Sequence, residues 1–242
     1  MLTITTIIIM RVDTDKTSVV RLYHLMQLCD SALPVGGFSF SCALESAVAR
    51  GFLCDVATLE SYVRTVVRQT LFSDGVAALY AMRHWRDESA LLYADRELFL
   101  RKASREMRTM SCRMGRKLAE LGSKLELGDE VDRWLTLVAN GHTFGQYAIT
   151  QGLIFARCGA LEQELFSSVG YGTAAMVTGA ALRLMRVTHL DTQQVLFALA
   201  PLVDGIYDEV KGLGLDQMQG FAPLMEIFSS QHEKGKQRMF MS

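Results

Sequence analysis

The chain has 242 residues, 50% of them hydrophobic, with 25 Lys plus Arg against 26 Asp plus Glu, a net charge of -1 and 3 prolines. That apolar fraction is ample for a packed core and excludes disorder as the main state, while so small a net charge gives no global field to draw in nucleic acid or an anionic membrane. The 5 cysteines, at 29, 42, 54, 112 and 158, include no Cys-x-x-Cys pair, which fits a reduced cytoplasmic protein and spells out neither a disulfide framework nor a metal site.

At the N-terminus, Ile7-Ile8-Ile9 has no basic residue before it and is far short of the ~20 residues that cross a bilayer. Residues 1–18 are expected to form a loose arm. Helical spacing then predicts helices at 19–29 and 40–50. Over 59–71, Leu59, Tyr62, Val63, Val66, Val67, Thr70 and Leu71 share one face, with Glu60, Arg64 and Arg68 turned away. Further helices are predicted at 74–86 and 90–100. The stripe Leu100, Ala103, Met107, Met110, Met114, Leu118 and Leu121 predicts another, with Gly122 as its C-cap. Beyond it come helices at 131–157, 161–186, 192–210 and 213–229, with Gly51, Gly128 and Gly159 as breakers and Asn140-Gly141 read as lying inside a helical pattern. The uncharged runs 134–156 and 165–182 contain too many polar or small residues for membrane spans and read as buried core helices. An all-α, single-domain helical bundle over 19–230 follows, with a tail over 231–242.

Gly170-Tyr171-Gly172-Thr173-Ala174-Ala175 and Gly179-Ala180-Ala181 put small side chains over much of one helix. They allow close backbone approach, either inside the bundle or across a two-fold axis.

No phosphate loop, dinucleotide fingerprint, G-x-S-x-G elbow or H-E-x-x-H pair is present. The histidines at 24, 84, 142, 189 and 232 never fall within five residues of one another. His142 reads as a hydrogen-bonded core imidazole. A hydrolase site built around it would need a second polar partner that the sequence does not supply. The segment 96–117 carries Arg96, Arg101, Lys102, Arg105, Arg108, Arg113, Arg116 and Lys117 against Glu97 and Glu106. Such a face is either solvated or meets an acidic partner or a phosphate backbone, although the aromatic residues that single-strand binding needs are missing from 100–117. No catalytic, metal or cofactor-binding residue is assigned. The tail, basic and then apolar at Met239-Phe240-Met241, either frays in water or docks on another chain.

The stretch Gln27-Leu28-Cys29-Asp30-Ser31-Ala32-Leu33-Pro34-Val35-Gly36-Gly37-Phe38-Ser39-Phe40-Ser41, followed by Leu44-Glu45, resembles the signature of the urease accessory protein UreF family. Physically it is a helix stopped by Pro34, a Gly36-Gly37 turn, and a new helix begun at a Ser cap. Ser104-Arg105-Glu106 and Ser111 to Gly115 are similar to that family's basic central helix. His142 with Phe144-Gly145 is similar to its H-x-F-G element, and Tyr171 with Ala180-Ala181-Leu182-Arg183-Leu184 to its A-A-x-R-L helix. The tail His232-Glu233 to Arg238-Met239-Phe240-Met241-Ser242 matches H-E-x-x-x-x-R-L-F-x-S with Met239 in place of Leu.

The resemblance implies a non-catalytic, all-α, cytoplasmic homodimer that helps nickel insertion into apo-urease, binding the accessory protein UreD (also called UreH) and recruiting the GTPase UreG. It implies no cofactor, nucleic acid or membrane. By the same resemblance, Phe38, His232, Glu233, Arg238 and Phe240 are the candidate partner-binding residues, and Gly170 and Tyr171 the candidate dimer contact. Physics alone leaves Phe38 two places, displayed on the glycine turn or folded back as a staple. The resemblance favours display.

Overall fold

The structure, a computed structural model, describes residues 19–220, 222–223, 227–230 and 239–240. The expected arm 1–18 and the tail residues His232, Glu233 and Arg238 lie outside the described residues. Among those described there are 11 α-helices and no strand.

In chain order the helices are α1 (Val19–Cys29), α2 (Leu44–Ala49), α3 (Val56–Thr70), α4 (Val76–Arg83), α5 (Glu88–Arg101), α6 (Arg105–Lys124), α7 (Asp129–Ala139), α8 (Tyr147–Arg157), α9 (Glu162–Leu184), α10 (His189–Ala198) and α11 (Ala200–Val210). The centre is α8, in which every residue from Ala148 to Phe155 is buried. Its most extensive packing is against α4 and α6. Close approach to α4 requires glycine at 152, since a Cβ there would stand 2.4 Å from the Ala78 carbonyl oxygen. Trp134 of α7 donates from Nε1 to Thr150 Oγ1 at 2.9 Å, so the largest core side chain leaves no polar atom unpaired. On the other flank α9 packs against α3 and α10. By length and composition α9 could cross a membrane, yet more than half of its apolar window is buried inside the bundle, as expected for a core helix.

Polar side chains fix several helix starts. Asp55 and Thr58 form a reciprocal capping box on α3, and Thr188 and Asp191 do the same on α10. Asp87 accepts from the Ala90 N–H at the start of α5.

Several sequence expectations need correction. The predicted helix 131–157 is two helices, because α7 stops in a Schellman motif. Gly141, at φ +72°, donates to the Val138 carbonyl, and His142 to that of Leu137. The predicted helix 192–210 breaks at Leu199, where Pro201 sits in the first turn of α11. The stripe from Leu100 is interrupted at 102–104, and α6 runs through Gly122, which is buried against Ile154 and Val131 rather than capping. Instead of a Ser-capped helix over 40–50, a 3-10 turn at Gly37–Ser39 precedes a shorter α2 whose N-cap is Ala43. Within 213–229, Leu215–Gln217 form a 3-10 turn rather than the start of an α-helix.

Candidate partner-docking site

The chain leaves α1 through an Asx turn, with Asp30 Oδ1 accepting from the Ala32 N–H at 2.8 Å. Gly36 then takes φ +85°, and the 3-10 turn that follows points two phenylalanines in opposite directions. Phe40 enters the core, while Phe38 is 74% exposed. The staple is therefore Phe40, and Phe38 is displayed.

Directly after it, Cys42 and Ala43 hold φ of +50° and +63°, a left-handed pair that costs non-glycine residues about 1 kcal/mol or more each. The surroundings hold them there. Tyr62 donates its hydroxyl to the Cys42 carbonyl at 2.6 Å, and Cys42 Sγ lies 3.7 Å from Met176 Sδ. Burial pushes the Cys42 thiol up to about 12 and those of Cys112 and Cys158 to about 11, so all three stay protonated at neutral pH. This is the opposite of an activated nucleophile.

Arg183 of α9 ties the turn to the tail. It donates to the Phe38 carbonyl at 2.8 Å and lays its guanidinium over the Phe240 ring at 4.1 Å. Glu45 of α2 completes the clasp, its two carboxylate oxygens accepting from the Met239 and Phe240 N–H groups at 2.8 and 3.1 Å. Phe240 is consequently only 4% exposed. The expectation that the apolar end of the tail has no face on its own chain is wrong, because Glu45 and Arg183 provide one. Both lie in segments that carried the family resemblance. As the polar members of otherwise apolar motifs, they were the available sequence signal.

Behind Phe38 and Arg183 opens a cleft of about 390 Å³, whose wall includes Leu33, Met107, Met110, Met114 and Met176. Within it Lys102 pairs with both oxygens of Asp74 at 2.7 Å. Along α1, Val19, Leu22, Tyr23 and Met26 form an exposed apolar stripe at helical spacing, which leads through Cys29 to the same cleft. Sequence periodicity placed α1 correctly but could not tell its covered face from its open one, since both are apolar. The covered face is set by Leu25, Leu28 and Arg21, which pairs with Glu164 at 3.2 Å. Exposed apolar side chains grouped in this way mark an interaction surface.

The candidate dimer residues separate. Gly170 is buried, and a Cβ there would stand 3.2 Å from Val203 of α11, so its smallness serves packing within the chain. Tyr171 beside it is 49% exposed and borders a cleft of about 360 Å³ shared with Leu196, Leu199 and Val203. Leu190 and Phe197, one face of α10, are also exposed.

His142 is not a core imidazole. It stands exposed on the loop between α7 and α8. The carboxylate that reaches this loop, Asp95, is fully buried and accepts from Thr143 Oγ1 at 2.5 Å and from the N–H groups of Phe144, Gly145 and Gln146 at 2.7, 3.0 and 2.6 Å. Burial pushes the Asp95 carboxyl up, and these four donors pull against it. With its oxygens committed to the loop, Asp95 is a framework group rather than a base for His142. Among the described residues, no three His, Cys, Asp or Glu side chains are grouped to hold a metal ion.

The family model of UreF matches residues 53–200. The chain is 40% identical over 244 residues to urease accessory protein UreF 2 of Brucella canis, covering 100% of both chains. It is 41% identical over 224 residues to urease accessory protein UreF 1 of Brucella melitensis, covering 91% of this chain and 92% of the relative. To urease accessory protein UreF of Photorhabdus laumondii it is 38% identical over 223 residues, covering 91% and 97%.

Proposed function

The chain belongs to the UreF family of urease accessory proteins, and on that premise we propose that it is a non-catalytic cytoplasmic adaptor, joining UreD (UreH) to the GTPase UreG while nickel is delivered to apo-urease. The observation that carries this reading is the display of Phe38. A strained turn, a Gly-Gly pair and an arginine from another helix cooperate to hold one aromatic ring in water, where it gains nothing for folding and can anchor a partner. The clasped tail lies against the same Arg183, and the α1 stripe runs to the same cleft, so the elements fit one continuous docking face. Nickel is cargo of the assembly in this scheme, and the nucleotide chemistry belongs to UreG.

A homodimer through the Tyr171 side is part of the proposal. The cleft beside Tyr171 and the exposed Leu190 and Phe197 supply apolar surface on that side, without Gly170. The experiment that tests the adaptor reading is affinity purification of the tagged chain from cells expressing a complete urease operon. Recovery of UreD and UreG together supports it, and recovery of neither refutes it.

A further inference from the structure

The loop Gly141–Gln146 is built more firmly than a connection needs. Asp95 binds it through four donors, and Gly115 of α6 lies so close that a Cβ there would stand 2.0 Å from the Gly145 carbonyl oxygen. Ser111 Oγ accepts from the Tyr147 N–H at 3.1 Å, closing the far side. What this frame presents is Phe144, 42% exposed and stacked on Phe99 of α5 with centroids 3.7 Å apart and planes 4° from parallel. Arg108 of α6 lies over the Phe99 ring at 5.2 Å and is oriented by its bond from Nε to the Lys102 carbonyl. Arg105 is one turn earlier on the same face of α6, and Arg96 one turn before Phe99 on α5. Both are exposed, with no ion-pair partner among the described residues, whereas Arg101 and Arg116 are paired with Glu97 and Glu120. The sequence showed the basic helix but not the aromatic pair, because Phe99 and Phe144 come from outside 100–117.

We propose that this surface docks an acidic segment of a partner protein, with Arg96, Arg105 and Arg108 taking its carboxylates and Phe144 its apolar contact. Guanidinium groups suit carboxylates through paired N–H donors, and a loop fixed in advance loses little entropy on binding. Nucleic acid fits less well. Phe99 is already stacked on Phe144 and approached by Arg108, so it is a poor platform for a base, and the chain as a whole has no positive field. The inference goes beyond the adaptor reading and does not depend on it.

The test uses the full chain and a fluorescein-labelled polyglutamate peptide interrupted by one phenylalanine, followed by anisotropy. The wild-type chain should bind it, more weakly as salt rises, and should not bind the glutamine counterpart. Arg96→Glu with Arg105→Glu, which breaks no ion pair among the described residues, should lower the affinity about tenfold or more with an unchanged circular dichroism spectrum. Phe144→Ala should lower it less. Equal binding by the double variant, no binding of the acidic peptide by the wild type, or tighter binding of a single-stranded oligonucleotide than of the peptide overturns the proposal.

Discussion

Asp95→Asn isolates the framework of the α7–α8 loop. One carboxylate oxygen accepts from Thr143 Oγ1 and the Phe144 and Gly145 N–H groups, and the other from Gln146 N–H. An asparagine does best by placing its carbonyl at the threefold site, which sets its NH2 against the Gln146 N–H, donor to donor. Three bonds lose their charge assistance, roughly 1 kcal/mol each, and one buried donor is left unpaired at a cost of about 1–3 kcal/mol. Relief from desolvating the charge, the effect that pushes the Asp95 carboxyl up, offsets part of this. The net loss should be about 2–4 kcal/mol, a sizeable share of the ~5–15 kcal/mol typical of a folded domain. Urea unfolding should show a lower midpoint at unchanged slope, and hydrogen exchange should show lost protection at Phe144, Gly145 and Gln146. An unaltered midpoint with those amides still protected would refute the reasoning.

Phe38→Ala should cost under ~0.5 kcal/mol of stability because the ring is exposed. It should keep the UreD complex but lose UreG in co-purification, and loss of both with unfolding would return Phe38 to the core. Tyr171→Asp should sediment as a monomer, since a symmetric contact buries the introduced charge twice at several kcal/mol; a dimer removes Tyr171 from the interface. Deleting 232–242 removes Phe240 from its clasp and should abolish UreD binding while leaving helix content intact, and unchanged co-purification would count against the tail. Hydrogen bonds from Thr58, Ser89 and Thr188 lower the carboxyls of Asp55, Asp87 and Asp191 below 3.8. Each cap therefore stabilises above that value and fades as pH falls through the lowered one. The triple Asp→Asn variant, which still caps but cannot titrate, should lose less stability on acidification below 3.8 than the parent, and parallel losses would refute this.

The all-α architecture was legible because amphipathic spacing is strong where one face is polar, as in α3 and α6. It failed at boundaries, where an apolar pattern runs across a break between two helices. In 131–157 the apolar pattern runs on through Asn140-Gly141, and only the stop chemistry marks the end of α7. A glycine at positive φ just past the C-cap is a local signal, the one read correctly at Gly51 and Gly159, but at Gly141 it was overridden by the surrounding apolar residues. At 192–210 the proline was the cue, since Pro201 begins a helix well and continues one badly. Gly122 shows the reverse error, a glycine chosen for closeness to Ile154 rather than for its backbone freedom.

The site was legible only in part, for a different reason. The glycine turn and Phe38 are local, so sequence could raise display as one of two outcomes, and Phe40 then decides between them by occupying the core place. Arg183 and Glu45 act across long stretches of chain, on Phe38 and Phe240 in one case and on the tail backbone in the other, and no periodicity reports such pairings. Their arrangement also joins what the sequence kept apart. Because one guanidinium serves both the Phe38 carbonyl and the Phe240 ring, pulling the tail away removes the cation–π contact of about 0.5–2 kcal/mol and leaves Arg183 held by the Phe38 carbonyl and by the Gly179 carbonyl of its own helix. A partner that takes the tail thus acts on the same side chain that steadies the Phe38 turn, which gives the two docking elements a physical route for coupling.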